Sequence, residues 1–252
     1  MATAILVDGG FFLRRYRSLH GDQKPVDVAN AMIRVCKDHL RSRSKKGTDS
    51  PVRNRTLFRI FYYDCPPLQK KAHNPLTGRA IDFSKSDVAK WRLQFFDELR
   101  RKRKVALRLG DLNEKGAAWT IRTPKIKPLL KKQIALSDLE ESDVVYDVQQ
   151  KGVDMRIGLD IASMCYKRFV DQIVLIAGDS DFVPAAKLAR REGVDFVLDP
   201  MWADIRPDLF EHIDGLRSTV RRPQPIRDSS STAPPPETVA PDRSEGFGEG
   251  IL

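Results

Sequence analysis

Two aspartates separated by a single residue, Asp179 and Asp181, are the residues in this sequence best placed to do chemistry. They follow an apolar run over residues 173–177 and a glycine at position 178. The run has the length and the β-branched content of a strand that is buried on both faces. The segment after the two acids has the composition of a helix. Both carboxylates are therefore expected at the carboxyl end of a strand, where open α/β sheets place their active sites.

An acid in this position also has a purely structural explanation. Asp and Ser are favoured at helix N-termini, where they cap free backbone N–H groups and contribute about 0.5–2 kcal/mol. One carboxylate is enough for a cap, so a pair around Ser180 leaves one acid available for another purpose. The functional interpretation therefore depends on whether other segments bring acids to the same edge of the sheet.

Two further segments supply acids in comparable places. A short apolar run at residues 4–7 ends at Asp8, which two glycines follow, and Asp154 begins a helix predicted to reach about residue 169. If the strands are parallel, these acids converge at one edge. Ionised carboxylates that converge repel one another, so such a site takes up protons or a hard divalent cation. Oxygen-only ligation favours Mg²⁺ or Mn²⁺, which suit phosphoryl chemistry.

The elements that must position these acids are predicted from apolar patterns and capping residues. Further strands are expected at residues 56–63, 105–109, 119–122, 144–148 and 194–198. Helices are expected at residues 25–40, 84–104 and 181–192, with a short one within 205–216. The helix at 84–104 is predicted from a capping box, Ser84-x-x-Asp87, and from an apolar stripe of Val88, Trp91, Phe95 and Leu99. The chain is predicted to form an α/β domain.

Charge and composition limit the class of protein. The 252 residues include 44 Lys and Arg against 34 Asp and Glu, a net charge of +10 that favours a polyanionic partner such as nucleic acid. Three widely spaced cysteines indicate reduced thiols in an intracellular protein, and four histidines without zinc-ligand spacing argue against a zinc enzyme. No apolar run approaches the roughly 18 residues of a membrane span. We therefore expect a cytoplasmic protein that does not enter a membrane.

Loops and a tail account for the rest of the chain. Residues 41–55 are polar and basic and are predicted to form a loop, and the long connection from Asp64 to about residue 83 is predicted to be a functional flap or an insertion. Asp64 also lies near a strand end, but Pro66 and Pro67 redirect the chain directly after it. Asp64 is therefore not counted among the main acids of the cluster. Residues 1–220 are predicted to form the domain, and residues 221–252, rich in Pro and Ser, a disordered tail.

Three motifs, taken together, resemble those of a known family. They are Ile5-Leu6-Val7-Asp8-Gly9-Gly10, Lys151-Gly152-Val153-Asp154 with Asp160 beyond it, and Ala177-Gly178-Asp179-Ser180-Asp181-Phe182. In this order they resemble the signature blocks of the NYN domain family, a branch of the PIN-like nucleases, and most of all its bacterial LabA-like group. The resemblance covers roughly residues 1–200.

The resemblance implies a Rossmann-like three-layer α/β/α sandwich with a central, mostly parallel sheet. It also implies a ribonuclease that uses Mg²⁺ or Mn²⁺, with Asp8, Asp154, Asp179 and Asp181 as catalytic metal ligands and Asp160 as a fifth metal ligand. Lys151 and Ser180 are predicted to contact the substrate. The basic stretch that carries Lys125, Lys127, Lys131 and Lys132 fits an RNA partner, because such contacts to phosphate give affinity without sequence selectivity.

Other functions remain to be weighed against this one. A Toprim domain requires a Glu where Asp8 stands, and a haloacid-dehalogenase-like phosphatase requires a second Asp where Gly10 stands. The main alternative is a weakly active or inactive RNA-binding regulatory module of the same fold. The sequence leaves the oligomeric state open, with a homodimer as one option.

Overall fold

A computed structural model describes residues 1–41 and 55–222 of the chain. The strands are β1 (Ala2–Asp8), β2 (Thr56–Asp64), β3 (Lys71–His73), β4 (Ala80–Asp82), β5 (Val105–Leu109), β6 (Asp111–Leu112), β7 (Ala118–Ile121), β8 (Val144–Asp147), β9 (Gln150–Lys151), β10 (Gln172–Ile176), β11 (Asp195–Asp199) and β12 (Gly215–Leu216). The helices are α1 (Gly9–His20), α2 (Pro25–His39), α3 (Asp87–Arg100), α4 (Thr123–Leu130), α5 (Val153–Tyr166), α6 (Val183–Arg191) and α7 (Pro207–Phe210). The predicted loop at 41–55 and the predicted tail at 221–252 fall almost entirely outside the described residues.

Six strands form one sheet in which every neighbouring pair is parallel. The order across the sheet is β12-β11-β10-β1-β2-β5. From β1 the chain builds outwards through β2 to β5, and it then returns to the other side of β1 and builds outwards from β10 to β12. The direction of winding therefore reverses between β1 and β10. Parallel sheets of this kind bind ligands at that switch point, beyond the carboxyl ends of the strands.

Helices cover both faces of the sheet and make the predicted three-layer α/β/α sandwich. Phe12, Met32 and Phe95 pack from α1, α2 and α3 against one face, where they join Ile5 and Val7 of β1 in a single core. A second core, on the other face, contains Ile157 and Ile161 of α5 and Ala186 of α6. All five residues of β10 are buried, so this strand is covered on both faces as its continuous apolar run predicts.

Helix α3 begins later than the sequence suggested. The Asp82 carboxylate accepts the N–H of Ser84 and caps a short 3₁₀ helix at Phe83–Lys85, while the Ser86 hydroxyl caps α3 by accepting the N–H of Ala89. The prediction of a capping box at Ser84 is therefore wrong. Val88 is also misassigned to the core, because its side chain is 68% exposed.

Three other elements form close to where they were predicted, in arrangements that the sequence did not specify. The strands expected at 119–122 and 144–148 form as β7 and β8, but they pair with each other in an antiparallel ribbon outside the main sheet. The helix expected within 205–216 is confined to the four residues of α7, and β12 follows it as an edge strand of the main sheet.

Candidate active site

The register of the central strands places two of the predicted acidic segments side by side. Val7 pairs with Ile176 across β1 and β10, so Asp8 and the turn that leads to Asp179 leave adjacent strands at the same edge. Neighbouring strands are about 4.8 Å apart. Both segments therefore emerge at the switch point of the sheet.

Two glycines allow the backbone to pack closely around these acids. A methyl group at Gly178 would lie 2.5 Å from Cε2 of Phe11, so the first turn of α1 packs directly on the turn after β10. A methyl group at Gly9 would lie 2.5 Å from the Tyr62 ring and 2.6 Å from the Tyr63 carbonyl oxygen. Glycine is needed at both positions because no Cβ fits.

Asp8 is a partly buried acid that caps a helix. Its Oδ1 accepts the N–H of Phe11 at 3.1 Å, which satisfies one free donor at the start of α1. The pKa of Asp8 is raised to about 6, chiefly by burial and further by the carboxylates of Asp154 and Asp64, against the opposing effects of the Phe11 N–H and Arg14. Asp8 is therefore poised to gain from a proton or a cation.

The pair after β10 divides the two roles that the sequence suggested. Asp179 accepts the N–H of Asp181 at 3.1 Å and caps the 3₁₀ turn at Ser180–Phe182, while Phe182 is buried in the core. The Asp181 side chain is exposed and, within the part of the chain that the structure describes, makes no hydrogen bond or ion pair. The structural need at this turn is met by Asp179, and Asp181 remains available.

Asp154, on helix α5, is coupled electrostatically to the acids at both strand ends. It lies in the first turn of α5, after Gly152, whose φ of +76° suits glycine. Desolvation raises the pKa of Asp154, and the carboxylates of Asp179 and Asp181 raise it further. Since Asp154 also raises the pKa of Asp8, these four acids form one electrostatically coupled group.

Asp160 has a different environment. Its Oδ2 accepts from the Tyr63 hydroxyl at 2.8 Å and from Arg108 Nε at 2.9 Å, and its Oδ1 accepts from Arg108 Nη2 at 2.5 Å. Both oxygens are thus engaged in a bidentate pair with a charged partner. These contacts secure α5 to β2 and β5, and its suggested place as a fifth ligand stays a prediction.

The donor set is suitable for a hard divalent cation in its chemistry. Carboxylate oxygen is the ligand that Mg²⁺ and Mn²⁺ prefer. Across residues 1–41 and 55–222, no three Asp, Glu, His or Cys side chains are already close enough to hold a metal ion together. Binding therefore requires the four carboxylates to move towards the ion, which their partial exposure allows.

The predicted substrate-contacting residues are dispersed. Lys151 lies exposed in β9 beside Gly152, and Ser180 lies within the 3₁₀ turn between two of the acids. Lys125, in the first turn of α4, pairs with the carboxylate of Asp143 at 3.1 Å. Lys127, Lys131 and Lys132 are exposed on α4 and just beyond its end. Of the four lysines, Lys125 thus has a structural partner and the other three are open to solvent.

Sequence reasoning missed a buried ion pair at the neighbouring strand end. Asp64 is fully buried at the end of β2 and accepts from the Tyr62 hydroxyl at 3.0 Å, from the N–H of Cys65 at 2.8 Å and from Nη2 of Arg92. The strand-end position of Asp64 was the available signal. Arg92 gave none, because nothing in the local sequence distinguishes it from Lys90 and Arg100, the other cations of its helix.

Two grooves open beside Arg92. The larger has a volume of about 840 Å³ and lies between α1, α3 and the start of α2, with Gly10 and Arg14 in its wall. The smaller, of about 510 Å³, is lined by Cys65, Pro66 and Pro67 of the segment after β2. Val88, Arg92 and Gln150 line both. The grooves therefore meet at Arg92.

The fold and the site define a parallel α/β domain with coupled carboxylates at its switch point. Residues 94–204 match the model of the NYN domain, a stretch that contains Asp154, Asp160, Asp179 and Asp181. This part of the chain is therefore similar to an NYN domain, and NYN domains belong to the PIN-like nuclease superfamily. Asp8 lies outside the matched stretch, on the central strand of the same sheet.

Comparison of the chain with curated proteins and with solved structures gives no significant match. The narrower resemblance to the LabA-like group stays a prediction. None of the helices that the structure describes is long and apolar enough to cross a membrane.

Proposed function

We propose that this protein is a divalent-metal-dependent ribonuclease that hydrolyses RNA phosphodiester bonds at the acidic switch point. The similarity to NYN domains makes a nuclease function the starting point, and PIN-like nucleases generally use divalent metals. The observation that carries the proposal is the electrostatic coupling of the four acids: Asp154 raises the pKa of Asp8, and Asp179 and Asp181 raise the pKa of Asp154. Such a cluster destabilises the fold unless a ligand compensates for it.

The four acids have related roles in this proposal. Each supplies carboxylate oxygens for Mg²⁺ or Mn²⁺, and a bound divalent ion would neutralise the phosphate and activate water for attack on phosphorus. Because Asp8 and Asp179 also cap helical turns, their backbone positions are fixed while one oxygen of each remains available. Ser180 and Lys151 flank the acids and are proposed to contact the RNA backbone.

The decisive test is cleavage of a labelled RNA that contains unpaired and hairpin segments, with Mg²⁺ or Mn²⁺ titrated from zero. We expect no cleavage in excess EDTA, saturable cleavage with either metal, and a higher melting temperature of the protein when the metal is added. Cleavage that persists in EDTA would contradict the proposed metal dependence. A non-ligating cation such as Na⁺, at matched ionic strength, is the control for simple screening.

A second candidate is an RNA-binding regulatory module of the same fold with little or no turnover. The observation in its favour is that, among the described residues, the acids are not yet gathered at ligating distance. RNA binding without cleavage at any metal concentration, and without metal-induced stabilisation, would support this alternative.

A further inference from the structure

The larger groove begins next to the proposed catalytic acids. Gly10 lies in its wall, and a methyl group at Gly10 would be 3.5 Å from Oδ1 of Asp8. Arg14, one turn further along α1, lines the groove and is close enough to Asp8 to lower its pKa. The part of the groove at Gly10 and Arg14 therefore adjoins Asp8.

Arg92 is fixed where this groove meets the smaller one. Its Nη2 donates to the buried carboxylate of Asp64 and to the carbonyl oxygen of Cys65, and its guanidinium lies 5.6 Å from the Phe96 ring centre. One fifth of its side chain stays exposed, its Nη1 makes no hydrogen bond among the described residues, and its Nε is buried without a partner there. Arg92 is thus a cation with unused donors whose orientation is set before any ligand arrives.

An apolar wall lies one turn away on α3. Val88 is 68% exposed in the groove, and Trp91 follows it at the next helical position on this side. The Trp91 indole is held by a hydrogen bond from Nε1 to the Gln23 carbonyl oxygen at 2.9 Å and by stacking on Phe95 at 5.3 Å. Leu13 of α1 lines the opposite side. An exposed aliphatic side chain beside a fixed aromatic ring is a suitable surface for a nucleobase.

The mixed charges around the groove favour contact with a small part of a nucleic acid over contact with a long duplex. Four cations and three carboxylates line it: Arg14, Arg17, Lys24 and Arg92 with Asp22, Asp27 and Asp87. The Arg17 and Asp22 side chains pair with each other at 2.6 Å. A duplex needs a continuous basic track for its two backbones. This groove instead offers one fixed cation, one apolar wall and concave space of the size of ordinary ligand sites.

We propose that this groove binds one unpaired nucleotide of single-stranded RNA, with its base against Val88 and Trp91 and its phosphate on the guanidinium of Arg92. The adjoining phosphodiester then lies at Asp8. A base can reach the wall only when it is unstacked and unpaired, so the protein selects single-stranded over double-stranded RNA. The choice of RNA as the ligand rests on the function proposed above, whereas the groove and its selection for unpaired nucleotides follow from this geometry.

The test measures binding in EDTA, where metal-dependent cleavage cannot occur. A fluorescently labelled single-stranded RNA of mixed sequence and its duplex are titrated with the full chain, and their anisotropy is recorded. Val88→Glu should weaken single-strand binding by about tenfold, because it removes apolar contact and adds a charge that repels phosphate. Leu93→Glu, a matched variant on the same helix at a partly exposed position outside both grooves, should leave binding within about twofold.

Arg92 is tested with two variants because its loss leaves Asp64 buried without a charged partner. Arg92→Gln should weaken single-strand binding by about tenfold or more. The double variant Arg92→Gln and Asp64→Asn removes both charges, should restore the melting temperature and should remain defective in binding. Arg101→Gln, which removes an exposed cation from the end of the same helix, is the control.

The outcomes separate this inference from the proposed function. Weaker binding by the groove variants, with controls unchanged and duplex RNA bound less tightly, supports the groove even if the parent protein never cleaves. Metal-dependent cleavage by the parent, together with unchanged binding by Val88→Glu and by the folded double Arg92 variant, overturns the groove and leaves the nuclease intact. Equal affinity for duplex and single strand also overturns it, as does preference for single-stranded DNA of the same sequence over RNA.

Discussion

Four neighbouring strands place an aspartate at the same edge of the sheet, and the protein treats these four carboxylates in two different ways. Asp64 and Asp199 end β2 and β11, are fully buried, and are each joined to a basic side chain. Asp8 ends β1, and Asp179 follows β10. These two lie at the switch point, retain partial or full exposure, and have no ion pair among the described residues. The outer pair of acids is structural, and the inner pair faces the site.

Asp199 shows what a structural acid requires at this edge. Its Oδ2 lies 2.7 Å from Nε2 of His39 and 3.3 Å from the N–H of Thr219, and its Oδ1 accepts the N–H of Met201 at 2.8 Å. These contacts join α2 to β11 and to the chain after β12. Every oxygen is satisfied, as a buried carboxylate requires.

The difference shows where the cost of burying charge is left uncompensated. At Asp64 and Asp199 the fold supplies donors that offset desolvation. At Asp8 and Asp154 desolvation and neighbouring carboxylates raise the pKa, which means that the ionised site is strained until a proton or a cation arrives. Perturbed carboxylates that converge at a switch point are typical of functional sites.

The largest predicted effect is the loss of cleavage when an inner acid is neutralised. Asp179→Asn should reduce RNA cleavage to the background level, because it removes a charge from the proposed metal site. The apo protein should melt within about 2 °C of the parent or slightly above it, because Asn can also cap the 3₁₀ turn and because repulsion is relieved. Cleavage assays and thermal melts in EDTA measure both quantities.

The matched control for this variant is Asp97→Asn, which removes an exposed acid that pairs with Arg100 near the end of α3. It should leave cleavage and stability unchanged, since exposed ion pairs contribute about 0–1 kcal/mol. Full cleavage by Asp179→Asn would remove the distinction between the two classes of acid and would contradict the proposed role of Asp179 as a metal ligand.

The outer acids should respond in the opposite way. Asp199→Ala should lower the free energy of unfolding by about 3–5 kcal/mol. The reason is that the buried His39 ring and the N–H groups of Met201 and Thr219 lose their hydrogen-bond partner. Denaturant titration measures this loss. Cleavage per folded molecule should stay close to the parent value, and a complete loss of activity in well-folded Asp199→Ala would place Asp199 in the site.

The sequence predicted the inner acids at the switch point, but it did not predict the ion pairs of the outer acids. The apolar runs that end at Asp8 and after Ile176 predicted the central strands and their acids, because a strand buried on both faces carries a continuous apolar signal. Asp64 has the same signal, but whether an acid is paired depends on side chains distant in sequence. Its partner Arg92 is 28 residues away, and the partner of Asp199, His39, is 160 residues away. No local pattern encodes such pairs.

Strand direction and helix faces were also beyond local patterns. The apolar content of β7 and β8 predicted two strands but contained no information on their antiparallel pairing outside the main sheet. On α3, Ala89, Phe95, Phe96 and Leu99 form the buried face, whereas the predicted stripe included Val88. Val88 instead lines the grooves. An apolar residue that binds a ligand and one that packs in the core have the same sequence signal.

A smaller effect is expected in the pH dependence of stability. The pKa of Asp8 is about 6 in the fold against an ordinary value of 3.8, so the folded state binds this proton more tightly than the unfolded state does. The stability that this provides is complete below about pH 4 and is lost as the pH rises through 6. Asp8→Asn keeps the α1 cap and should lack this loss, which makes it more stable than the parent by about 1–3 kcal/mol at pH 8 without metal. Denaturant titrations at pH 4.5 and pH 8 in EDTA test this, and equal stability of parent and variant at both pH values would contradict it.

The smallest predicted effect concerns lysines that lie on the surface and not among the acids. Lys127, Lys131 and Lys132 are exposed, whereas Lys125 is engaged by Asp143, so the RNA contacts expected from this basic segment should come from the first three. Replacing these three with Ala should weaken binding of single-stranded RNA of any sequence and reduce the slope of log K against log salt by about 2, because each phosphate contact contributes about 0.7. Anisotropy titrations in EDTA between low and moderate salt measure the slope.

Lys125→Ala is the internal comparison: it should alter the slope little and lower the melting temperature slightly, because Asp143 then loses its partner. A triple variant with an unchanged slope would show that RNA does not contact α4. The main phosphate contacts would then be Arg14 and Arg92, the cations of the larger groove.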